Sequence, residues 1–330
     1  MSSLPERLLV AREHAGLRAD VYLALCLPFL ARTRIRQKIQ TGESLLNGRR
    51  YATSARLREG DEITIEWRGP VDGTPAPRLD ILFEDEWILA VDKPAGIASH
   101  PMGRIQSGTA IQFARERDAA EIAAHLARGD AGFYPRLVNR LDVFTSGVVL
   151  VARTRHALRA MHKLVAERRL EKSYVALVEG LLAEEEGRIE LAVGRDETSA
   201  VALKMAARAD GLPSLTTYRV IRRLPRHTLV RAFPLTGRQH QIRVHFAAIG
   251  HPVWGDLLYK DERLFLRDLD FVKGDGTLGG IPDGIPDADL PARHLLHAEE
   301  VSFVHPGTGA AVRIHSPLPA DFERIVQRLE

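Results

Sequence analysis

The stretch from Asn139 to Gly147 reads NRLDVFTSG and leads directly into the apolar run VVLVA at residues 148–152. A short apolar run of this kind is typical of a buried strand, and Thr, Ser and Gly ahead of it suit a tight turn. A carboxylate at the mouth of a buried strand loses water, so Asp142 needs a cationic partner or several hydrogen-bond donors. The stretch therefore predicts either a salt-bridged structural aspartate or a carboxylate kept ionised for chemistry.

The composition is that of an ordinary globular protein, and the length of the chain predicts two domains. The chain has 330 residues, of which 45% are hydrophobic and 27% charged. Its single cysteine, Cys26, excludes an intramolecular disulfide and a zinc site with four thiolates. No apolar run approaches membrane-spanning length, and the first residues lack the apolar core of a secretory signal. We therefore expect a cytoplasmic protein that binds no membrane.

Positive charge is concentrated near the start of the chain. Residues 1–68 hold 12 Lys and Arg against 8 Asp and Glu, whereas residues 69–330 hold 34 against 35. Within residues 32–58 there are eight basic side chains and one acidic side chain, Glu43. Such a cluster is either a solvated basic face or a surface that binds a polyanion.

A composition shift marks the domain boundary. Residues 69–77 read GPVDGTPAP, with three prolines and two glycines, which is typical of a linker. The predicted domains are therefore residues 1–68 and 79–330, joined by a linker at 69–78. Residues 261–291 are rich in Gly, Asp and Pro without periodicity, which predicts a surface insertion.

The first domain combines a basic helix, a turn and a strand. The pattern predicts a helix over residues 33–40, an Asn47-Gly48 turn and an alternating strand at 63–67. Together with Leu57-Arg58-Glu59-Gly60-Asp61, these segments resemble the small RNA-binding domain named after ribosomal protein S four. The resemblance implies that the basic helix and the turn present donors to RNA phosphates. The side chains in question are Arg32, Arg34, Lys38 and Arg49.

Five segments of the second domain occur in the order of a known enzyme family. The stretch 139–147 resembles the catalytic motif of the RluA-type pseudouridine synthases, and four further segments resemble other motifs of that family. These are VDKPAGIASHP at 91–101, EKSY at 171–174, LTGRQHQIRVH at 235–245 with GHPVWGD at 250–256, and RHLLHA at 293–298. Together the segments cover the second domain, and the resemblance implies an enzyme that isomerises uridine in structured RNA.

The resemblance assigns roles to residues that spacing alone leaves open. It implies that Asp142 is the catalytic carboxylate, which attacks either the base ring or the anomeric carbon of the sugar. Arg243 is implied as its ion-pair partner, with Arg238 as the alternative. Tyr174 is implied as the aromatic residue that stacks on the target base, although spacing alone favours a tyrosine packed in the core. Arg140 is implied to fill the space left by the flipped nucleotide.

The resemblance also implies the fold and the partners. It implies an α+β protein whose catalytic domain contains a central, mainly antiparallel mixed sheet. Large-subunit ribosomal RNA is the favoured substrate, with transfer RNA as the alternative, and a monomer is expected. No His-Glu-x-x-His pair, clustered thiols or Gly-rich phosphate loop occurs in the sequence, so we predict neither a metal nor a cofactor. Lys93 and Lys172 are expected to be structural or to face phosphates.

One departure from the family pattern keeps other functions open. Asn139 stands where the family usually has His. One alternative is therefore an RNA-binding assembly factor that has lost catalysis. A second is a carboxylate-dependent glycosidase that releases uracil from RNA. An isomerase leaves the mass of RNA unchanged, a glycosidase lowers it, and a binding protein leaves the RNA unaltered.

Overall fold

The computed structural model describes residues 6–27, 32–65, 75–102, 105, 107–120, 135–262 and 291–330. The chain divides into two compact units, one of residues 1–77 and 100–135 and the other of residues 78–99 and 136–330. Most of the predicted linker 69–78 and of the predicted insertion 261–291 lies outside the described residues. The predicted domain bounds therefore stay a prediction.

The first unit packs helices against a three-stranded antiparallel sheet of order β1-β3-β2. Its elements are β1 (Glu6–Leu9), a 3-10 helix (Arg12–His14), α1 (Ala19–Cys26), α2 (Arg32–Thr41), β2 (Ser44–Leu46), β3 (Glu62–Ile65) and α3 (Ala110–Arg117). Ile35 and Ile39 stand four residues apart on α2, so they share one face. Both are buried against Leu23 of α1 and against Ile63 and Ile65 of β3.

The local predictions for this unit agree with the described elements. The predicted helix 33–40 lies within α2, and the predicted strand at 63–67 overlaps β3, although residues 66 and 67 lie outside the described part. Asn47 and Gly48 both have positive φ, at 49° and 75°. This is the backbone that a tight turn with the Asn-Gly signal requires. The turn leaves the adjacent Arg49 exposed to solvent.

The second unit is built around a large sheet. Its strands are β4 (Asp80–Glu84), β5 (Ile88–Lys93), β6 (Arg136–Leu137), β7 (Ser146–Ala152), β8 (Glu171–Glu179), β9 (Glu186–Glu190), β10 (Val193–Arg195), β11 (Met205–Ala207), β12 (Leu215–Arg223), β13 (His227–Pro234), β14 (Leu296–Val304) and β15 (Ala311–His315). Its helices are α4 (Arg155–Ala166), α5 (Gln241–Ala248), α6 (Leu257–Lys260) and α7 (Ala320–Leu329).

Ten of these strands form one sheet of order β4-β5-β7-β14-β8-β13-β12-β9, with β15 paired to β14 and β6 paired to β7. Strands β7 and β14 pair in parallel, whereas the other pairs of this sheet are antiparallel. The expectation of a mainly antiparallel mixed sheet is confirmed. Across the described residues, no helix has the length and apolar character to span a membrane.

Successive strand residues point to opposite sides of the sheet, and both sides carry apolar residues. Helices therefore cover both faces. On one face, Ala176 of β8 and Val230 of β13 pack against Phe246 of α5. On the other face, Leu177 of β8 packs in a cluster with Phe322 of α7. The site described below lies on the α5 side, since Tyr174 and Ala176 share a face of β8.

Gly147 allows the parallel pairing of β7 with β14. Its φ of 112° is a conformation that residues with a side chain rarely adopt. A Cβ at this position would also clash with the backbone of Ala298 in β14. Gly147 is therefore required where the turn after Asp142 enters the sheet, since β14 approaches β7 too closely for any side chain.

Candidate active site

Asp142 lies in a turn that neighbouring segments hold in place. The amide of Thr145 donates to the carbonyl of Asp142 at 3.1 Å and closes the turn. The Ser99 hydroxyl donates to the Leu141 carbonyl at 2.8 Å and accepts the Leu141 amide at 3.0 Å. The amide of Gly96 donates to the carbonyl of Val143 at 2.9 Å. The segment that follows β5 therefore fixes the backbone on both sides of Asp142.

Arg243 of α5 joins two carboxylates. Its Nε and Nη2 donate to Asp256 at 2.6 and 2.8 Å, and its Nη1 donates to Asp142 Oδ2 at 2.8 Å. The side chains of Arg243 and Asp256 are 7% and 2% exposed, whereas that of Asp142 is 26% exposed. Asp256 thus anchors the guanidinium inside the protein, and Asp142 presents its carboxylate at the surface of the site.

This arrangement keeps Asp142 ionised. Burial by itself raises the pKa of the Asp142 carboxyl, but His240 and Arg243 together outweigh burial and hold the pKa below its usual range. Burial alone would lower the pKa of Arg243, but Asp256 and Asp142 raise it above its usual value. The pair therefore consists of a permanent cation and a carboxylate that remains charged at neutral pH.

His240 and Tyr259 complete the surroundings of Asp142, and neither was among the residues predicted from the sequence. His240 Nε2 lies 3.8 Å from Asp142 Oδ2, and its Nδ1 lies 2.8 Å from the Tyr259 hydroxyl. The Tyr259 oxygen accepts the amide of Met205 at 3.1 Å, and the Tyr259 ring lies 4.9 Å from the Arg243 guanidinium carbon. A hydroxyl that donates to Nδ1 favours the imidazole tautomer with its proton on Nε2, facing Asp142.

Tyr174 stands on β8, directly opposite Ala232 of β13. Burial, with a smaller contribution from the charge of Asp142, raises the pKa of its hydroxyl above the usual value. Tyr174 packs at the edge of the apolar cluster that contains Ala176 and Phe246. Among the described residues, none forms a hydrogen bond with its hydroxyl. The ring is therefore held by packing, and its hydroxyl is close enough to Asp142 for the carboxylate charge to raise its pKa.

Two arginines predicted to bind RNA also belong to this unit. Arg140 is exposed, and within the described part of the chain it has no hydrogen-bond or ion-pair partner. Arg238 is partly exposed, and its Nε donates to the Pro213 carbonyl at 3.2 Å. Arg238 does not contact Asp142 in the described structure, so Arg243 rather than Arg238 is the ion-pair partner.

The four predicted RNA-binding residues of the first unit differ in their surroundings. Lys38 is buried, and its ammonium donates to Glu43 at 2.6 Å. Arg49 is exposed beside the Asn47-Gly48 turn. Arg32 and Arg34 lie in the first turn of α2, where the described structure covers the backbone only. Lys38 is therefore engaged by an acid, whereas Arg49 is free to meet solvent.

The side chain of Asn139 forms hydrogen bonds with the backbone of β7. Its side-chain amide donates to the Val148 carbonyl at 3.1 Å, and its carbonyl oxygen accepts the Leu150 amide at 2.7 Å. Asn139 therefore continues the pairing of β7 where β6 ends. One donor and one acceptor are needed here, and a neutral imidazole also offers one of each. Asn139 thus has a structural role in this contact.

The last motif supports the turn from the opposite side. His294 is buried, and its Nε2 lies 2.8 Å from the Thr145 hydroxyl. Burial, aided by nearby cations, lowers the pKa of His294 well below its usual value. Arg293 donates to Asp321 at 2.7 and 3.1 Å and to the Phe144 carbonyl at 3.3 Å. These residues fix the turn that carries Asp142 without facing its carboxylate.

The site therefore offers an ionised carboxylate, a cation that orients it and an aromatic ring beside it. Such a group acts as a nucleophile or stabilises a developing positive charge. In the part of the chain that the structure describes, no cluster of three His, Cys, Asp or Glu side chains could hold a metal ion.

Known relatives identify the family of the chain. The family profile described as RNA pseudouridylate synthase matches residues 87–248. Ribosomal large subunit pseudouridine synthase D of Xanthomonas campestris pv. campestris is 34% identical over 96% of this chain and 89% of its own length. The chain belongs to the RNA pseudouridylate synthase family. Ribosomal large subunit pseudouridine synthase C of Escherichia coli is 32% identical to this synthase over 97% of the chain and 95% of its own length.

Solved structures agree with the fold of this pseudouridylate synthase. Human RNA pseudouridylate synthase domain containing 1 is 26% identical, with a TM-score of 0.50, and the match covers 76% of this chain and 94% of that chain. Human RNA pseudouridylate synthase domain containing 4 is 22% identical, with a TM-score of 0.51 over 76% and 92% of the two chains. The second likeness concerns the fold alone.

Proposed function

We propose that this pseudouridylate synthase isomerises uridine in large-subunit ribosomal RNA and that Asp142 is its catalytic carboxylate. The Asp142–Arg243 contact carries the assignment, since it combines a charged, partly exposed carboxylate with a buried partner anchored by Asp256. The names of the two bacterial relatives, which are both ribosomal large subunit pseudouridine synthases, support the substrate. Transfer RNA is the alternative substrate.

The reaction breaks the bond between N1 of uracil and C1′ of ribose and forms a bond between C5 and C1′. The proton on C5 is lost and N1 gains one, so neither a redox step nor a cofactor is needed. Asp142 assists either by attacking C1′ as the base departs or by adding to the ring of the base. In both routes Arg243 holds the carboxylate oriented toward the nucleotide. Tyr174 stacks on the base beside it.

A stacked uridine must leave the helix before Asp142 can reach it. Arg140 is exposed two residues before Asp142, which supports the proposal that its guanidinium occupies the vacated position in the RNA and contacts phosphates. Arg238, partly exposed at the start of the segment that leads into α5, is proposed as a second phosphate contact. Both residues would add to affinity without taking part in bond breaking.

The first unit is proposed to be an S-four-like RNA-binding domain within residues 1–68. Arg32, Arg34 and Arg49 would contact phosphates, whereas Lys38 would first have to leave Glu43. Phosphate contacts make binding dependent on salt. We propose that the enzyme works as a cytoplasmic monomer.

The assignment is tested with large-subunit ribosomal RNA and transfer RNA, both unmodified and tritiated at C5 of uridine. We expect the wild-type enzyme to release tritium from the ribosomal RNA, and Asp142→Asn to lower the rate by a factor of about 10³ or more while it still binds RNA. Asp210→Asn, an exposed aspartate paired with Arg208, is the matched control and should keep full activity.

The alternatives predict other results in the same assay. Loss of RNA mass with free uracil would identify a glycosidase. No release from either RNA, with binding intact, would favour the assembly factor that has lost catalysis. Release from transfer RNA alone, again lost in Asp142→Asn, would make transfer RNA the substrate and leave the role of Asp142 unchanged.

A further inference from the structure

Lys172 lies on the same side of the sheet as Tyr174. The two residues stand two apart on β8, so their side chains leave the same face of the strand, roughly 6.6 Å apart along it. Lys172 also lies close to the loop that leads to α5. Its ammonium nitrogen is 3.7 Å from the point where a side chain at Gly237 would begin. Lys172 therefore stands between the proposed base-stacking tyrosine and the segment that carries Arg238.

This ammonium lies in a groove of about 280 Å³. One wall is the end of α4 and the residues after it, including Val165 and Arg168, and the other wall is the end of β13 and the following loop, including Phe233 and Leu235. Val165 and Leu235 are exposed apolar side chains, 42% and 40% accessible. The groove thus combines apolar side chains with two basic residues, Arg168 and Lys172, and one acidic residue, Glu171.

Lys172 has no partner for its charge. Within the described residues its ammonium forms neither a hydrogen bond nor an ion pair, unlike Lys93, which donates to three carbonyls. Burial lowers the pKa of Lys172, and no acid opposes this effect. A partly buried ammonium without an acceptor destabilises the free protein. Its neighbour Glu171 also lines the groove, but Glu171 is exposed and forms no ion pair with Lys172 within the described residues.

We propose that this groove binds a phosphate of the RNA strand next to the flipped uridine, with Lys172 and Arg168 as its cationic ligands. The proposal rests on the proposed function, because the position of the target base at Tyr174 sets which phosphate reaches Lys172. An RNA phosphodiester supplies the missing acceptor, and an adjacent base or ribose covers the apolar lining. Arg168 is exposed and makes no side-chain contact within the described chain, so it is free to join.

The test uses the full-length enzyme and Lys172→Met, with Lys163→Met as the matched control because Lys163 is a 74% exposed lysine of α4. We expect Lys172→Met to weaken RNA binding about tenfold and to reduce the slope of log affinity against log salt by about 1. The rate from saturating RNA should change little, since Asp142 is untouched. Lys172→Arg should restore most of the affinity, and Lys163→Met should change neither quantity.

Thermal unfolding separates this role from a structural one. If the ammonium of Lys172 is a charge without a partner in the free enzyme, its removal in Lys172→Met takes away a destabilising group. The melting temperature of the free enzyme should then rise by about 2 °C. A lower melting temperature or an unfolded variant would overturn the proposal, and so would unchanged RNA affinity and salt slope. If inorganic phosphate protects the wild type but not Lys172→Met while RNA affinity is equal in both, the groove is a site for free phosphate and the proposal fails.

Failure of the groove is distinguishable from failure of the proposed function. Equal RNA binding by wild type and Lys172→Met, together with tritium release that depends on Asp142, would reject the groove and keep the catalytic assignment. Tritium release that persists in Asp142→Asn would reject the catalytic assignment whatever Lys172→Met does.

Discussion

Lys93 and Lys172 both lie on strands of the large sheet and are both withdrawn from water, yet their surroundings differ. Lys93 is fully buried and donates to the carbonyls of Pro94, Ile97 and Val143 at 2.9, 2.8 and 3.1 Å. Burial lowers its pKa to about 7, although Asp142 opposes the effect. Lys172 has no acceptor within the described chain. A buried cation with a full set of partners stabilises the fold, whereas one without partners is suited to a ligand.

The same contrast divides the whole site. Its paired side consists of Asp256, Lys93 and Asn139, whose polar atoms are engaged by neighbouring residues. Its open side consists of Arg140 and Lys172, which have no partner in the described structure. Asp142 combines both properties, since its carboxylate is paired with Arg243 yet 26% exposed. Substitutions on the paired side should therefore cost stability, whereas those on the open side should cost RNA binding.

The largest expected difference is between two arginines changed in the same way. Arg243→Met leaves the carboxylates of Asp142 and Asp256 without their cation, and we expect the free energy of unfolding to fall by about 3–5 kcal/mol. Arg140→Met removes an exposed, unpaired guanidinium and should change that free energy by less than about 0.5 kcal/mol while it weakens RNA binding. Urea unfolding measures both variants, and equal losses would break the contrast.

Asn139 provides a test of intermediate size. Asn139→Ala removes the partners of the Val148 carbonyl and the Leu150 amide in a buried strand, so we expect a loss of about 1–3 kcal/mol in the free energy of unfolding. Asn139→His should lose less, because imidazole supplies one donor and one acceptor. The measurement is again urea unfolding. An Ala variant as stable as wild type would show that these hydrogen bonds contribute nothing.

The smallest expected effect concerns the pH dependence of stability. The pKa of Asp142 is lower in the folded protein than in the unfolded chain, so its ionised form stabilises the fold above the unfolded value of about 3.9. This contribution is lost as the pH falls through the folded pKa. The stability of wild type relative to Asp142→Asn should therefore be greatest near neutral pH and shrink below about pH 4. Denaturation across the acid range measures it, and a difference that grows with acidity would contradict the ion pair.

The sequence predicted the main pair of the site but not the residues that support it. Asp142 and Arg243 were predicted together from motifs that lie 101 residues apart, and they form a direct hydrogen bond. Asp256, His240 and Tyr259 were not predicted as site residues, although His240 and Asp256 fall within quoted motifs. Position within a motif does not tell which side chain faces Asp142, because α5 and the following turn must first pack against the sheet.

The sequence by itself determined the elements and the family, because hydrophobic period, turn residues and ordered motifs are local properties of the chain. It predicted the buried strand after Asp142 and the basic helix α2, and the family resemblance implied the mixed sheet. Only the tertiary structure decided which polar groups are paired. Arg243 meets Asp256 and Asp142, Lys93 meets three carbonyls and Lys172 meets none, because the pairing of a buried charge depends on segments that are distant in the chain and adjacent in the fold.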